Sequence, residues 1–183
     1  GGFMVYRKAN GEIGSLDYRE KAPLAATKDM FLDDKGNVIK GKSTESPLAI
    51  GVPGTIAGVF AVHEKLGSLP IEEILKPVIE LAERGVIVTK KQEDRLTAYR
   101  AKIIKVNGDK TLFATAFKEN DVIKYPALAA TLKRISKNGR DEFYKGKTAE
   151  ILVQYLQEKG AIITLEDLSK YEAKWRTPLT FDY

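Results

Sequence analysis

Leu16-Asp17-Tyr18-Arg19-Glu20-Lys21-Ala22-Pro23 follows a Gly-bounded apolar run and ends in a proline, and four of its eight residues are charged. Residues 2–6 upstream read as a strand, Ala9-Asn10-Gly11-Glu12 as a turn, and residues 13–18 as the second strand of a hairpin. Arg19 then lies at the end of a buried strand, where a guanidinium needs a carboxylate, a phosphate or backbone carbonyls as partner. From the residues alone two roles stay open for it: a structural ion pair with Asp17 or Glu20, or the binding of an anionic ligand.

The chain around this stretch has 183 residues, 43% of them hydrophobic. A single domain over residues 1–183 is expected, able to bury roughly 70% of the surface its unfolded chain exposes. The absence of cysteine removes disulfides, thiolate metal sites and a Cys nucleophile, and a single histidine, His63, removes a multi-His metal site. The net charge of +5 arises from 30 basic and 25 acidic residues mixed along the chain. That pattern reads as a solvated surface, with no nucleic-acid partner. No apolar run approaches the roughly 20 residues that span a bilayer. The opening Gly1-Gly2-Phe3-Met4-Val5 and the strand-like ending Pro178-Leu179-Thr180-Phe181-Asp182-Tyr183 are expected of a segment cut from something longer.

Downstream of the hairpin, residues 22–27 read as extended, Asp34-Lys35-Gly36-Asn37 as a turn between two short strands, and residues 39–46 as a mobile loop. Residues 47–58 read as a strand that turns sharply into a helix reaching about Leu66, with Ile56, Val59, Phe60, His63 and Leu66 on one face. Gly54 and Gly58 leave room there for close backbone packing. The Gly-rich turn has two readings: an anion site at a helix amino terminus, or a tight connection packed under the sheet. It lacks the Lys-Ser/Thr ending of a phosphate loop and Gly-x-Gly-x-x-Gly spacing, so it is taken as scaffold. His63, with no spaced partner, is taken as structural.

The remainder is mostly helical. Residues 71–84 form a helix carrying Pro77 and closed by Gly85. Thr89-Lys90-Lys91-Gln92 has capping-box form and starts a helix to about Val106, with Leu96, Tyr99, Ile103 and Val106 as its buried stripe. Short extended pieces are expected at 112–117 and 122–123. A helix over 126–137 turns Leu128, Leu132 and Ile135 inward, a helical turn at 141–144 ends at Gly146, and a helix over 147–158 buries Ile151, Leu152, Tyr155 and Leu156. Thr164-Leu165-Glu166-Asp167 caps a helix to about Tyr171, and residues 172–183 read as a strand. The elements make an α/β (α+β) body without internal repeats.

Five strings in register resemble the large subunit of γ-glutamyltransferases (γ-glutamyltranspeptidases): Leu16 to Pro23; Gly51-Val52-Pro53-Gly54-Thr55-Ile56-Ala57-Gly58; Gly67-Ser68-Leu69-Pro70 with Leu81-Ala82-Glu83-Arg84-Gly85; Gly139 to Gly146, containing Phe143-Tyr144-Lys145-Gly146; and Ile163-Thr164-Leu165-Glu166-Asp167-Leu168. The likeness covers essentially the whole chain. It implies part of an amino-terminal-nucleophile hydrolase fold, an αββα sandwich made as a precursor that cleaves itself into large and small subunits. The resemblance further implies a small-subunit threonine that attacks the γ-amide of glutathione or a related γ-glutamyl compound, an acyl-enzyme, and transfer to an amino acid, a peptide or water. No cofactor or metal is implied. The protein is expected to be periplasmic, secreted or at the cell surface.

In that family the arginine of the Asp-Tyr-Arg-Glu motif holds the α-carboxylate of the donor, and the matching residue is Arg19. The chemistry suits the role, since a planar guanidinium grips a carboxylate through two parallel hydrogen bonds. The chain has no Thr-Thr-His-type start of a small subunit, nor the downstream Asp, Ser-Ser and Gly-Gly elements. Thr55, Thr89 and Thr164 read as helix-start residues. No catalytic residue is therefore expected within these 183 residues, which alone would be inert and, with apolar faces and sheet edges open, prone to self-association. The alternatives are a non-catalytic γ-glutamyl-binding or structural module, and a relative such as a poly-γ-glutamate depolymerase or an acylase.

Overall fold

The structure is a computed structural model and describes residues 1–182. In chain order the elements are β1 (Phe3–Arg7), β2 (Ile13–Asp17), α1 (Lys42–Glu45), α2 (Thr55–Leu66), α3 (Ile71–Arg84), β3 (Val86–Ile87), α4 (Lys90–Asn107), β4 (Val122–Ile123), α5 (Pro126–Asn138), α6 (Arg140–Tyr144), α7 (Lys147–Glu158), α8 (Leu165–Ser169) and β5 (Lys174–Arg176). Single 3-10 turns lie at Pro47–Ala49 and Leu112–Ala114. The chain divides into two compact units, one made of Gly1–Pro70 with the residues from Arg134 onward, the other of Ile71–Lys133. The division falls inside α5.

In the first unit the expected hairpin is present. β1 and β2 pair antiparallel from Phe3 opposite Asp17 to Arg7 opposite Ile13, and Gly11 turns the loop with a φ of 89°. β5 adds to the other edge of β2, with Leu16 opposite Trp175 and Asp17 opposite Lys174. β2 is thus the central strand, and alternation buries Leu16, only 1% exposed, beneath the sheet. Below it Val52, Ala57, Tyr144, Ala149, Val153, Ile163, Leu168 and Tyr171 form one apolar cluster.

The glycines of α2 work as the sequence implies. A Cβ on Gly58 would stand 2.4 Å from the Tyr18 ring, so the helix passes under the end of β2 at a distance no side chain permits. Thr164 and Asp167 form a reciprocal capping box at the start of α8.

In the second unit Thr89 and Gln92 form the other reciprocal box, α3 runs through Pro77 as one helix, and β3 pairs with β4. Val88, Ala82, Ile123 and Ala129 are its most buried apolar residues. Phe113 lies against Tyr125, with ring centroids 6.3 Å apart.

Several expectations change. The loop at 39–46 contains the helical turn α1, opened by Gly41 at a φ of 81°. The strand expected before α2 reduces to a 3-10 turn and a single bridge between Lys21 and Val52, because Pro47 lacks the N–H a ladder needs. The piece expected to be extended from 112 is a 3-10 turn at its start. The final strand shrinks to Lys174–Arg176, and Tyr183 lies outside the described residues.

Tyr99 and Val106 of the α4 stripe are 60% and 49% exposed: the period marks an apolar face, but no opposing layer covers it among the described residues. On α5 Ile135 is buried as expected, but Leu128 is exposed and Ala129 is buried in its place. On α7 Ile151 and Tyr155 face outward, while Thr148, Ala149 and Val153 are buried. Small side chains face inward on α7 because Tyr144 and Tyr171 already fill the cluster.

Candidate functional site

Where β2 ends, the backbone turns around Asp17. One carboxylate oxygen of Asp17 accepts the Arg19 backbone N–H at 3.0 Å, an Asx turn. The other accepts both Nε and Nη2 of Arg176, at 2.9 and 2.7 Å. Arg176 reaches it because β5 is registered with Ser15 opposite Arg176. The Arg19 N–H bond, and next the Arg176 guanidinium, hold the Asp17 carboxyl below its usual range.

The Arg19 guanidinium points away from this pair. Its Nη2 meets a Glu20 carboxylate oxygen at 2.6 Å, its carbon lies 5.8 Å from the centre of the Phe3 ring, and the side chain is 55% exposed. Of the two ion-pair partners open to Arg19 from sequence, the structure gives Glu20. Asp17 instead orders the Arg19 backbone. Glu20 is also held below its usual range, first by its own backbone N–H and, against the cost of burial, by Arg19. Asp17, Arg19, Glu20, Lys21, Lys174 and Arg176 line a cleft of about 190 Å³. A guanidinium has five N–H donors, so the Glu20 contact leaves others free to take a second carboxylate in that cleft.

From below, the Tyr171 hydroxyl donates to the Arg19 carbonyl at 2.7 Å. Asp167, buried within its capping box, also accepts the Leu24 N–H at 2.6 Å. The contacts that Arg176, Tyr171 and Asp167 make here were invisible to sequence reasoning, because the partners are 143 to 159 residues away, although Asp167 was legible as a cap residue.

The Gly-rich turn is scaffold in this structure. Gly54 offers no capping side chain, and the Tyr144 hydroxyl, donating to the Pro53 carbonyl at 2.8 Å and accepting the Ala57 N–H at 3.1 Å, takes that place. An anion would have to displace it. His63 is 2.7 Å from the Leu69 carbonyl through Nε2, the structural role expected of it. Thr89 and Thr164 are cap residues and Thr55 opens α2.

Residues 1–183 match the family model described as gamma-glutamyltranspeptidase. The chain belongs to the γ-glutamyltranspeptidase family. It is 42% identical over 187 residues to a glutathione hydrolase proenzyme of Escherichia coli (strain K12), an alignment covering 100% of this chain and 32% of that proenzyme. The solved γ-glutamyltranspeptidase of Helicobacter pylori superposes with a TM-score of 0.96 at 41% identity, over 100% of this chain and 54% of that one. The enzyme from Pseudomonas nitroreducens complexed with L-DON gives a TM-score of 0.88 at 42% identity, again over 100% of this chain and 54% of that one. The chain therefore spans about a third of the curated γ-glutamyltranspeptidase relative and about half of the solved chains. Its fold is part of the amino-terminal-nucleophile hydrolase fold of this family, as the five strings implied.

Proposed function

We propose that this chain is a large-subunit segment of a γ-glutamyltransferase in which Arg19 binds the α-carboxylate of the γ-glutamyl donor. The observation that carries the reading is the form of the Arg19 site. Both peptide groups of this residue are fixed, by Asp17 and by Tyr171, while its guanidinium stays half exposed on a charged cleft. A carboxylate can then be met by a donor whose backbone is already placed, at a lower ordering cost than for an arginine on a free loop. The same protein's small subunit is the proposed partner and glutathione the proposed donor.

In the proposed reaction, a threonine of the small subunit attacks the γ-amide carbon. Its hydroxyl proton passes to its own α-amino group and then to the leaving amine, and an ester to the γ-glutamyl group forms as the amide bond breaks. Water or an acceptor amine then attacks the ester and frees the threonine. Arg19 contributes the same contact before and during both steps, so its role is in binding and register more than in lowering the chemical barrier. The proposed location is periplasmic, secreted or at the cell surface. The 183 residues alone are proposed to be inert, and to self-associate through edge-strand side chains such as Phe3 and Val5, 67% and 74% exposed.

The test is Arg19→Lys in the full-length precursor, assayed with a γ-glutamyl anilide. Loss of the two-bond fork is expected to raise KM roughly 10- to 100-fold with kcat little changed. Unchanged kinetics would remove the carboxylate role, and anilide release above background by the isolated chain would refute its inertness.

A further inference from the structure

The Tyr171 hydroxyl is unusual in its setting. The side chain is only 2% exposed, its ring is stacked on Tyr144 with centroids 5.7 Å apart and planes 12° apart, and the Lys21 ammonium covers it at 5.0 Å. Its backbone carbonyl accepts a hydrogen bond from Arg140, whose guanidinium also lies 4.6 Å over the Tyr144 ring. The ring is therefore held on both faces and at its backbone. Packing of that kind would be served equally by phenylalanine, and the oxygen adds one bond, to the carbonyl of Arg19.

Space for that bond has been cleared. A Cβ on Gly54 would lie 2.0 Å from the Tyr171 hydroxyl oxygen and 2.1 Å from the Tyr18 carbonyl. The amino end of α2, the end of β2 and the tip of Tyr171 thus converge at one point, and the glycine there is what lets them touch. The Tyr144 hydroxyl ties the other ring of the stack to that same end of α2, through Pro53 and Ala57.

We infer that Tyr171 is a positioning residue for the donor site: its hydroxyl fixes the Arg19 carbonyl and so sets the direction in which the guanidinium leaves the end of β2. The inference rests on the reading of Arg19 as the carboxylate-binding residue. With the N–H of Arg19 on Asp17 and its carbonyl on Tyr171, only side-chain torsions remain free, and a bidentate grip tolerates little displacement of its origin. Lys21, over the Tyr171 ring and 3.4 Å from the Glu172 carbonyl through Nζ, holds the next stretch of backbone in the same frame.

The experiment is a double-mutant cycle in the full-length, self-processed protein: Tyr171→Phe, Arg19→Lys and both together, with kcat and KM measured for a γ-glutamyl anilide and the extent of processing checked on a gel. Tyr171→Phe is expected to raise KM roughly 3- to 10-fold, with kcat within about twofold and processing complete. In the Arg19→Lys background the second substitution is expected to add nothing, since its effect runs through the guanidinium. A Tyr171→Phe enzyme with unchanged KM, beside an Arg19→Lys enzyme with raised KM, overturns the positioning role and leaves the Arg19 reading standing. Full additivity of the two also overturns it, placing the action of Tyr171 elsewhere. If neither substitution moves KM, the Arg19 reading fails and this inference with it. Should Tyr171→Phe process poorly, the KM of its processed fraction decides by the same criteria.

Discussion

Tyr144→Phe removes one oxygen atom from the centre of the first unit and nothing else. Tyr144 is 0% exposed, and its ring contacts with Phe143 and Tyr171 survive the change. Two bonds do not: the one to the Pro53 carbonyl and the one from the Ala57 N–H. Because Gly54 supplies no cap, these groups at the start of α2 are left without that partner, the Ala57 N–H in a buried site and the Pro53 carbonyl in a part-buried one. Each lost bond costs about 1 kcal/mol net and each stranded buried group about 1 more, against roughly 1 kcal/mol gained by burying a less polar ring. The expected destabilisation is about 2 to 3 kcal/mol. Hydrogen exchange of peptides covering α2 in the full-length protein reads this directly, as roughly 30- to 150-fold faster exchange of first-turn amides.

A pH arm sharpens the test. Burial pushes the Tyr144 phenol from 10.0 up to about 12. The unfolded chain releases this proton near pH 10 while the folded chain keeps it, so the contribution is whole below 10 and is lost as pH rises through about 12. The Tyr144→Phe protein should show a flatter alkaline limb, with Tyr171, whose phenol burial also raises, supplying the remaining slope. Exchange rates and an alkaline limb both indistinguishable from the parent's would refute the capping role.

Other consequences are simpler. Burial alone would raise the carboxyls of Glu142 and Asp167, but the bonds Glu142 takes from Thr148, Asn138 and Arg134, and those Asp167 takes from Leu24 and Thr164, bring both below their ordinary 4.5 and 3.8. Their contribution is present above those values and lost as pH falls through the lower folded ones, so Glu142→Gln and Asp167→Asn should each flatten the acid limb of a Tm-against-pH curve; limbs as steep as the parent's would contradict this. Gly54→Ala forces the Tyr171 hydroxyl or the Tyr18 carbonyl to move and should cost about 1 to 3 kcal/mol, read as a lower Tm of the full-length protein. Gly11→Ala meets nothing within 4 Å and should cost about 1 to 2 kcal/mol, for its positive φ alone. Equal melting of Gly54→Ala and the parent would show that the close approach is not needed.

What could be read from sequence was what neighbours in sequence decide. Both capping boxes, the glycine stop at Gly85 and the hairpin turn at Gly11 follow from residues within four or five positions of one another. The stripes failed where burial depends on a layer the local pattern does not encode. α7 turns Ala149 and Val153 inward in place of Ile151 and Tyr155, with Leu152 and Leu156 beside them, against a cluster that already holds the rings of Tyr144 and of the more distant Tyr171. Arg19 stood out because a guanidinium at a strand end demands a partner, whereas Tyr171 carried no such demand and read only as the end of a helix.

The three unforeseen contacts share an order that isolated contacts would not have. Asp167 reaches Leu24, Tyr171 reaches Arg19 and Arg176 reaches Asp17. Position rises on one segment as it falls on the other, which is the order of an antiparallel pair. β5 meets β2 only over Ser15 to Asp17, yet the same alignment continues past Asp17 through side chains, after the backbone around Arg19 has left the sheet. A ladder there would use up the Arg19 N–H and carbonyl and send its side chain to a face fixed by the pleat. Side-chain bonds hold the same backbone at the ends and leave the guanidinium, paired with Glu20, on the cleft. The segment from α8 to β5 is therefore where stability and the proposed donor site meet. A substitution there that loosens Tyr171 or Arg176 should weaken both, whereas one on the exposed face of α4 should touch neither.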